Sequence, residues 1–142
     1  MIVLRRQRGR WPGRGRELTD VGIWDRDLDI EAWHFLLGDA ADTGDISEYA
    51  APSRAGRLEG LPPTCIDVGE LDLFRDEDIR FAARLLEAGV PVEPHVYPGG
   101  IHAGELPAPD AELSRRIGRY RDEALGRALA TDRPKAPAPD PR

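Results

Sequence analysis

At 142 residues the chain is long enough for one domain with a core and too short for two. Hydrophobic residues make up 40% and charged residues 32%, an ordinary globular balance, and no apolar run approaches the ~20 residues of a membrane span. The net charge of −6 gives no whole-chain case for nucleic-acid binding, and a single cysteine, Cys65, excludes an internal disulfide and offers no metal cluster.

Residues 1–15 (MIVLRRQRGRWPGRG) are a short apolar run followed by a basic, Gly-rich arm carrying Arg5, Arg6, Arg8, Arg10 and Arg14. Such an arm is either an electrostatic tether for an anionic surface or a solvated extension outside the core, and the second reading is preferred. MIVL is too short for a signal core and runs straight into arginines, so a cytoplasmic protein is expected.

Residues 25–38 (DRDLDIEAWHFLLG) read as an amphipathic helix, with Asp25 or Asp27 as cap and Gly38 as stop. Leu28, Ile30, Trp33, Phe35, Leu36 and Leu37 form an apolar surface wider than one stripe, which predicts a helix buried on more than one side. His34 sits between bulky apolar residues and reads as a core or interface histidine rather than a ligand. Residues 39–60 are loop-like; Asp39, Asp42 and Asp45 lack the spacing and glutamate of a calcium loop and read as solvated turn acids.

Leu61–Gly104 is the stretch that organises the chain. Thr64–Val68 is a short β-prone run bounded by Pro62-Pro63 and Gly69, with Cys65 read as a small core residue. Asp76, Glu77 and Asp78 supply the negative charge that a helix start favours. Ile79, Ala82, Ala83 and Leu86, with Leu85, give the helical stripe, and Gly89 before Pro91 stops it. Val92–Tyr97 is a second strand, with Pro94 marking an edge or bulge and His95 placed too early to reach the strand's end. Residues 110–129 form a closing helix whose inward stripe is Leu113, Ile117, Tyr120 and Ala124, with Asp110 as candidate cap. From about residue 131 the Pro- and Ala-rich tail lacks a core pattern and reads as disordered.

Strand, helix and strand make a βαβ unit, so the two strands run parallel and end on the same edge of the sheet. Ligands of open α/β sheets bind beyond those carboxyl ends. There the sequence places Asp72 after the first strand and His102 after the second. An aspartate holding a histidine's Nδ1–H is two thirds of a Ser-His-Asp triad, and acid before histidine is the α/β-hydrolase order.

GLPPTCIDVGELDLFRDED, followed by LLEAGVPVEPHVYPGGIHA, resembles the C-terminal part of the hormone-sensitive-lipase-like branch of α/β-hydrolases, the fold-3 group. The shared features are a G-L-P-P run into a strand, an E-x-D-x-x-x-D-E loop, an A-G-V-P-V turn and a Y-P-G-x-x-H loop, and the match extends from about Arg16 to about Leu129. The resemblance implies an α/β fold: parallel strands with flanking helices, forming the C-terminal part of a hydrolase core (61–130), preceded by a cap-like helix and loop (16–60). It makes Asp72 the triad acid and His102 the triad base. Leu73 stands where the family often has proline, and Gly104 where it often has an aromatic.

The family's G-x-S-x-G nucleophile and H-G-G oxyanion loop have no counterpart here. The serines are Ser47, Ser53 and Ser114, none in such an elbow, and the only histidine before Asp72 is His34. The expected function is therefore that of a carboxylic-ester hydrolase segment supplying Asp72 and His102, inactive alone toward the small esters the family cleaves; the alternative is an inactive remnant or interaction module. A third reading, in which Asp72 and His102 activate water directly, lacks an oxyanion hole. No metal, organic cofactor, nucleic acid or membrane span is expected. The strand of Asp72 would lack an inward neighbour, which predicts self-association through an exposed edge.

Overall fold

The structure, a computed structural model, describes residues 23–43 and 46–131. The basic arm with its MIVL run, Asp45 and the tail beyond residue 131 lie outside the described residues. In chain order the elements are α1 (Arg26–Leu37), 3₁₀ turns at Gly38–Asp42 and Pro52–Arg54, β1 (Thr64–Gly69), α2 (Arg75–Glu87), β2 (Val92–Tyr97) and α3 (Glu112–Thr131).

β1 and β2 pair in parallel, in a register running from Thr64 opposite Val92 to Gly69 opposite Tyr97. Side chains alternate across a strand. Ile66 and Val68 therefore face α2, while Cys65 and Asp67 face the opposite side with Glu93, His95 and Tyr97 of β2. Cys65 is exposed there, not in the core as its place in the strand suggested. The core beneath α2 is Leu58, Ile66, Phe81, Ala82, Leu85 and Val90, with Ala55, Ala88 and Val92 against it. Burying a side chain such as Leu85, which is 1% exposed, contributes about 2 kcal/mol.

The inward face of α2 differs in phase from the predicted stripe. Asp78, Phe81, Ala82 and Leu85 are buried, whereas Ile79 and Leu86 are about half exposed and Ala83 is exposed. Phe81, the bulkiest apolar residue of the helix, sets the rotation, and Asp78, one turn before it, is drawn inward. Gly89 (φ 76) ends α2 as predicted: its N–H bonds Leu86 O and that of Val90 bonds Leu85 O, at 3.0 and 2.9 Å. The Arg84 guanidinium then ties the helix to the Ser53 and Ala55 carbonyls, 2.5 Å from each.

α1 begins where expected, with Asp25 Oδ1 accepting from the N–H groups of Asp27 and Leu28 at 3.0 and 2.9 Å, and ends at Gly38 (φ 54). It buries one face only. Trp33 and Asp29 point inward, while Leu28, Phe35 and Leu36 are 44%, 95% and 61% exposed. α3 lies on the other side of the sheet and is held mostly by polar contacts. Arg121 grips Asp67 with Nε and Nη2 and reaches Glu105 with Nη1 (2.6 Å). Arg127 pairs with Glu93, and Tyr120 stacks on His95. Of its predicted stripe, Ile117 is buried, Leu113 and Ala124 are half-buried and Tyr120 is exposed.

Candidate active site

The site forms where the loops after β1 and β2 meet. Glu70 N–H donates to Tyr97 O and Leu71 N–H to Gly100 O, both at 2.8 Å, so the pairing continues past the ends of the strands. Gly69 and Gly100 permit this approach. A Cβ on Gly69 would lie 2.3 Å from Gly100 O, inside any tolerable contact. Glu70 Oε2 accepts from Gly99 N–H at 3.0 Å and fixes the turn that leads to the histidine. Ala103, immediately after that histidine, has φ 48, a left-handed conformation that costs a non-glycine residue about 1–2 kcal/mol. Strain of this kind gathers at functional sites.

His102 Nδ1–H donates to Asp72 Oδ2 at 3.0 Å. The other oxygen, Oδ1, accepts from Phe74 N–H at 2.9 Å, so the carboxylate is fixed by the backbone that opens α2. Asp72 is buried and the His102 side chain is 20% exposed. An ionised carboxylate only accepts hydrogen bonds, so Nδ1 carries the proton and the neutral imidazole keeps its lone pair on Nε2. The bond to Asp72, with help from the charges of Asp72, Glu105 and Asp29, holds the imidazole above the ordinary value of 6.5, against the opposing effect of burial. Phe74 meets the ring edge-on at 5.3 Å between centroids, and Trp24 packs against it, tilted, at 5.8 Å. The geometry can orient a base whose Nε2 takes a proton from a nucleophile.

A cavity of about 340 Å³ opens beside the pair, lined in part by Asp72, His102, Phe74, Asp78, Tyr97 and Arg121. None of Ser47, Ser53, Ser114 or Cys65 lines it. Asp78 is the residue here whose position the sequence did not reveal: read as a helix-start acid, it is buried, and burial, followed by the Asp72 charge, pushes its carboxyl up to about 7. Asp29 is likewise an acid drawn inside, and is wholly buried. Its visible signal is its spacing, four residues before Trp33 on the same helix face.

The other histidines stand apart. His34 is exposed on α1, not in a core or interface among the described residues. His95 is in β2, its Nε2 2.9 Å from Glu93 Oε1 and its ring between Tyr97 and Tyr120. No group of three or more His, Cys, Asp or Glu side chains among the described residues could hold a metal ion, and no described helix is long and apolar enough to cross a membrane.

Residues 9–105 match the family model described as alpha/beta hydrolase fold. Esterase LipI of Mycobacterium tuberculosis is 41% identical over 72 residues, 47% of this chain and 22% of that protein. Carboxylesterase NlhH of the same species is 36% identical over 88 residues, 61% of this chain and 27% of that protein. The chain thus matches about a quarter of the length of these relatives. Among solved structures, a bacterial heroin esterase superposes with a TM-score of 0.72 at 42% identity, covering 78% of this chain and 36% of that one. Esterase LipW from Mycobacterium marinum gives 0.74 at 33% identity, covering 84% and 37%. With its parallel strands, flanking helices and the motifs around Asp72 and His102, the chain belongs to the α/β-hydrolase family, in its hormone-sensitive-lipase-like, esterase-rich branch.

Proposed function

We propose that this chain supplies the acid–base part of a serine carboxylesterase, and the observation that carries the reading is the 3.0 Å bond from His102 Nδ1 to Asp72 Oδ2. A serine from protein outside these 142 residues attacks the ester carbonyl. His102 Nε2 takes its proton and returns one to the leaving alcohol, while Asp72 fixes the tautomer and stabilises the imidazolium. Small esters are the substrates, and the chemistry needs no metal or organic cofactor.

Among the described residues β1 pairs with β2 alone, leaving its second edge for another strand. The nucleophile-bearing part of the fold docks at that edge; without it, the edge favours self-association. The reading is supported by the esterase relatives and by a match to little more than a third of the solved esterase chains. The cavity beside His102 contains no serine, which favours a second reading of the isolated chain as a non-catalytic module.

One experiment separates these readings. Residues 1–142, alone and co-expressed with the nucleophile-bearing part of a relative, are assayed with a short-chain p-nitrophenyl ester. Alone, the chain gives no acylation burst. Combined, it gives one that His102→Ala abolishes and that rises with pH through a midpoint above 6.5, since the base must be unprotonated. A soluble complex without a burst favours the module.

A further inference from the structure

Asp29 is 0% exposed on α1, and neither of its carboxylate oxygens has a hydrogen-bond partner among the described residues. An unpartnered buried carboxylate is costly, and an apolar residue on that helix face would be more stable. The Trp24 indole N–H is directed to Asp29 closely enough to favour its charge, yet falls short of hydrogen-bond geometry. The same indole packs against the His102 imidazole, tilted, with ring centroids 5.8 Å apart and planes at 35°. Carboxylate, indole and imidazole thus form one cluster at the edge of the site, buried at Asp29 and half-buried at the two rings.

We propose that Asp29 is a positioning residue for His102: from the first turn of α1 it holds the Trp24 indole, which precedes that helix, against the imidazole and sets a second carboxylate beside the one supplied by Asp72. The inference rests on the reading of His102 as the catalytic base.

The charges around the pair define its behaviour. His102 is acted on by Asp72 from the β1 loop, Asp29 from α1 and Glu105 from its own loop, while Arg121 of α3 is held by Asp67 and Glu105. Asp29 faces Glu77 of α2 and His102. Burial pushes the Asp29 carboxyl up to about 6; Trp24 and His102 oppose that rise and Glu77 adds to it. Below that pH Asp29 is neutral and Asp72 remains the principal partner of His102. Above it Asp29 is ionised and steadies the imidazolium. The two groups therefore titrate as neighbours.

The test is an NMR titration of the imidazoles of His34, His95 and His102 in residues 1–142, in the wild type and in Asp29→Asn and Asp72→Asn variants. Asp29→Asn should lower the His102 midpoint, by less than Asp72→Asn does, and leave His34 and His95 unmoved. In the wild type the His102 curve should carry a second inflection near the Asp29 midpoint, which keeps the test decisive if the variant fails to fold. A His102 curve with one inflection, or a midpoint unmoved by Asp29→Asn while Asp72→Asn lowers it, overturns this inference alone. A midpoint unmoved by Asp72→Asn overturns the functional reading as well.

Discussion

Gly69 and Gly100 touch backbone to backbone, the Cα of Gly69 lying 3.1 Å from where a Cβ on Gly100 would stand. That contact lets the two loops close and brings Asp72 to His102 across 30 residues of chain. Any side chain at position 69 would wedge the loops apart, because the obstruction is backbone and cannot rotate away. Gly69→Ala should destabilise the chain by about 3 kcal/mol or more. Gly56→Ala, with no neighbour within 4 Å of the added carbon, should be nearly neutral. Urea unfolding of the two variants checks the difference; equal midpoints would show that the close approach at position 69 is not needed.

The strands and the pair were legible because their signals are local. Val92–Tyr97 is bounded by Pro91 and Pro98 and is observed with those limits, and the parallel crossover puts both loops on one edge. The rotation of α2 was not legible. Asp78 is acidic and near a helix start, so its charge suggested solvent, whereas packing of Phe81 and Leu85 under the sheet carries it inward. α1 offered six apolar residues of which only Trp33 is buried, because among the described residues only one of its faces is covered. Apolar pattern alone does not reveal which surface finds a neighbour.

The conformation of Ala103 gives a second prediction. At φ 48 alanine is strained and a β-branched residue more so. Ala103→Gly should change stability by less than about 1 kcal/mol, since relief of strain offsets the greater freedom of the unfolded chain. Ala103→Val should cost about 2 kcal/mol or more and disturb the His102 resonances. Thermal unfolding with NMR of the histidine distinguishes them, and a harmless valine would show that the loop does not need this conformation.

Asp78 makes stability depend on pH with a definite sign. Its carboxyl titrates at about 7 in the folded chain against an ordinary 3.8, so between these values the native state holds a proton that the unfolded state has released. Stability must then fall as pH rises through that window, by about 4 kcal/mol from this group. Asp78→Asn should raise the melting temperature at pH 8, with the gain shrinking toward pH 4. A gain independent of pH would show that the carboxylate is not the source.

The bond between Asp72 and His102 selects the tautomer that the proposed catalytic base requires. ¹⁵N NMR of the neutral imidazole in residues 1–142 measures this directly. A proton on Nδ1 and a bare Nε2 are expected, with the preference weakened in Asp72→Ala. A His102 protonated on Nε2 in the wild type, or one indifferent to Asp72, would contradict that selection.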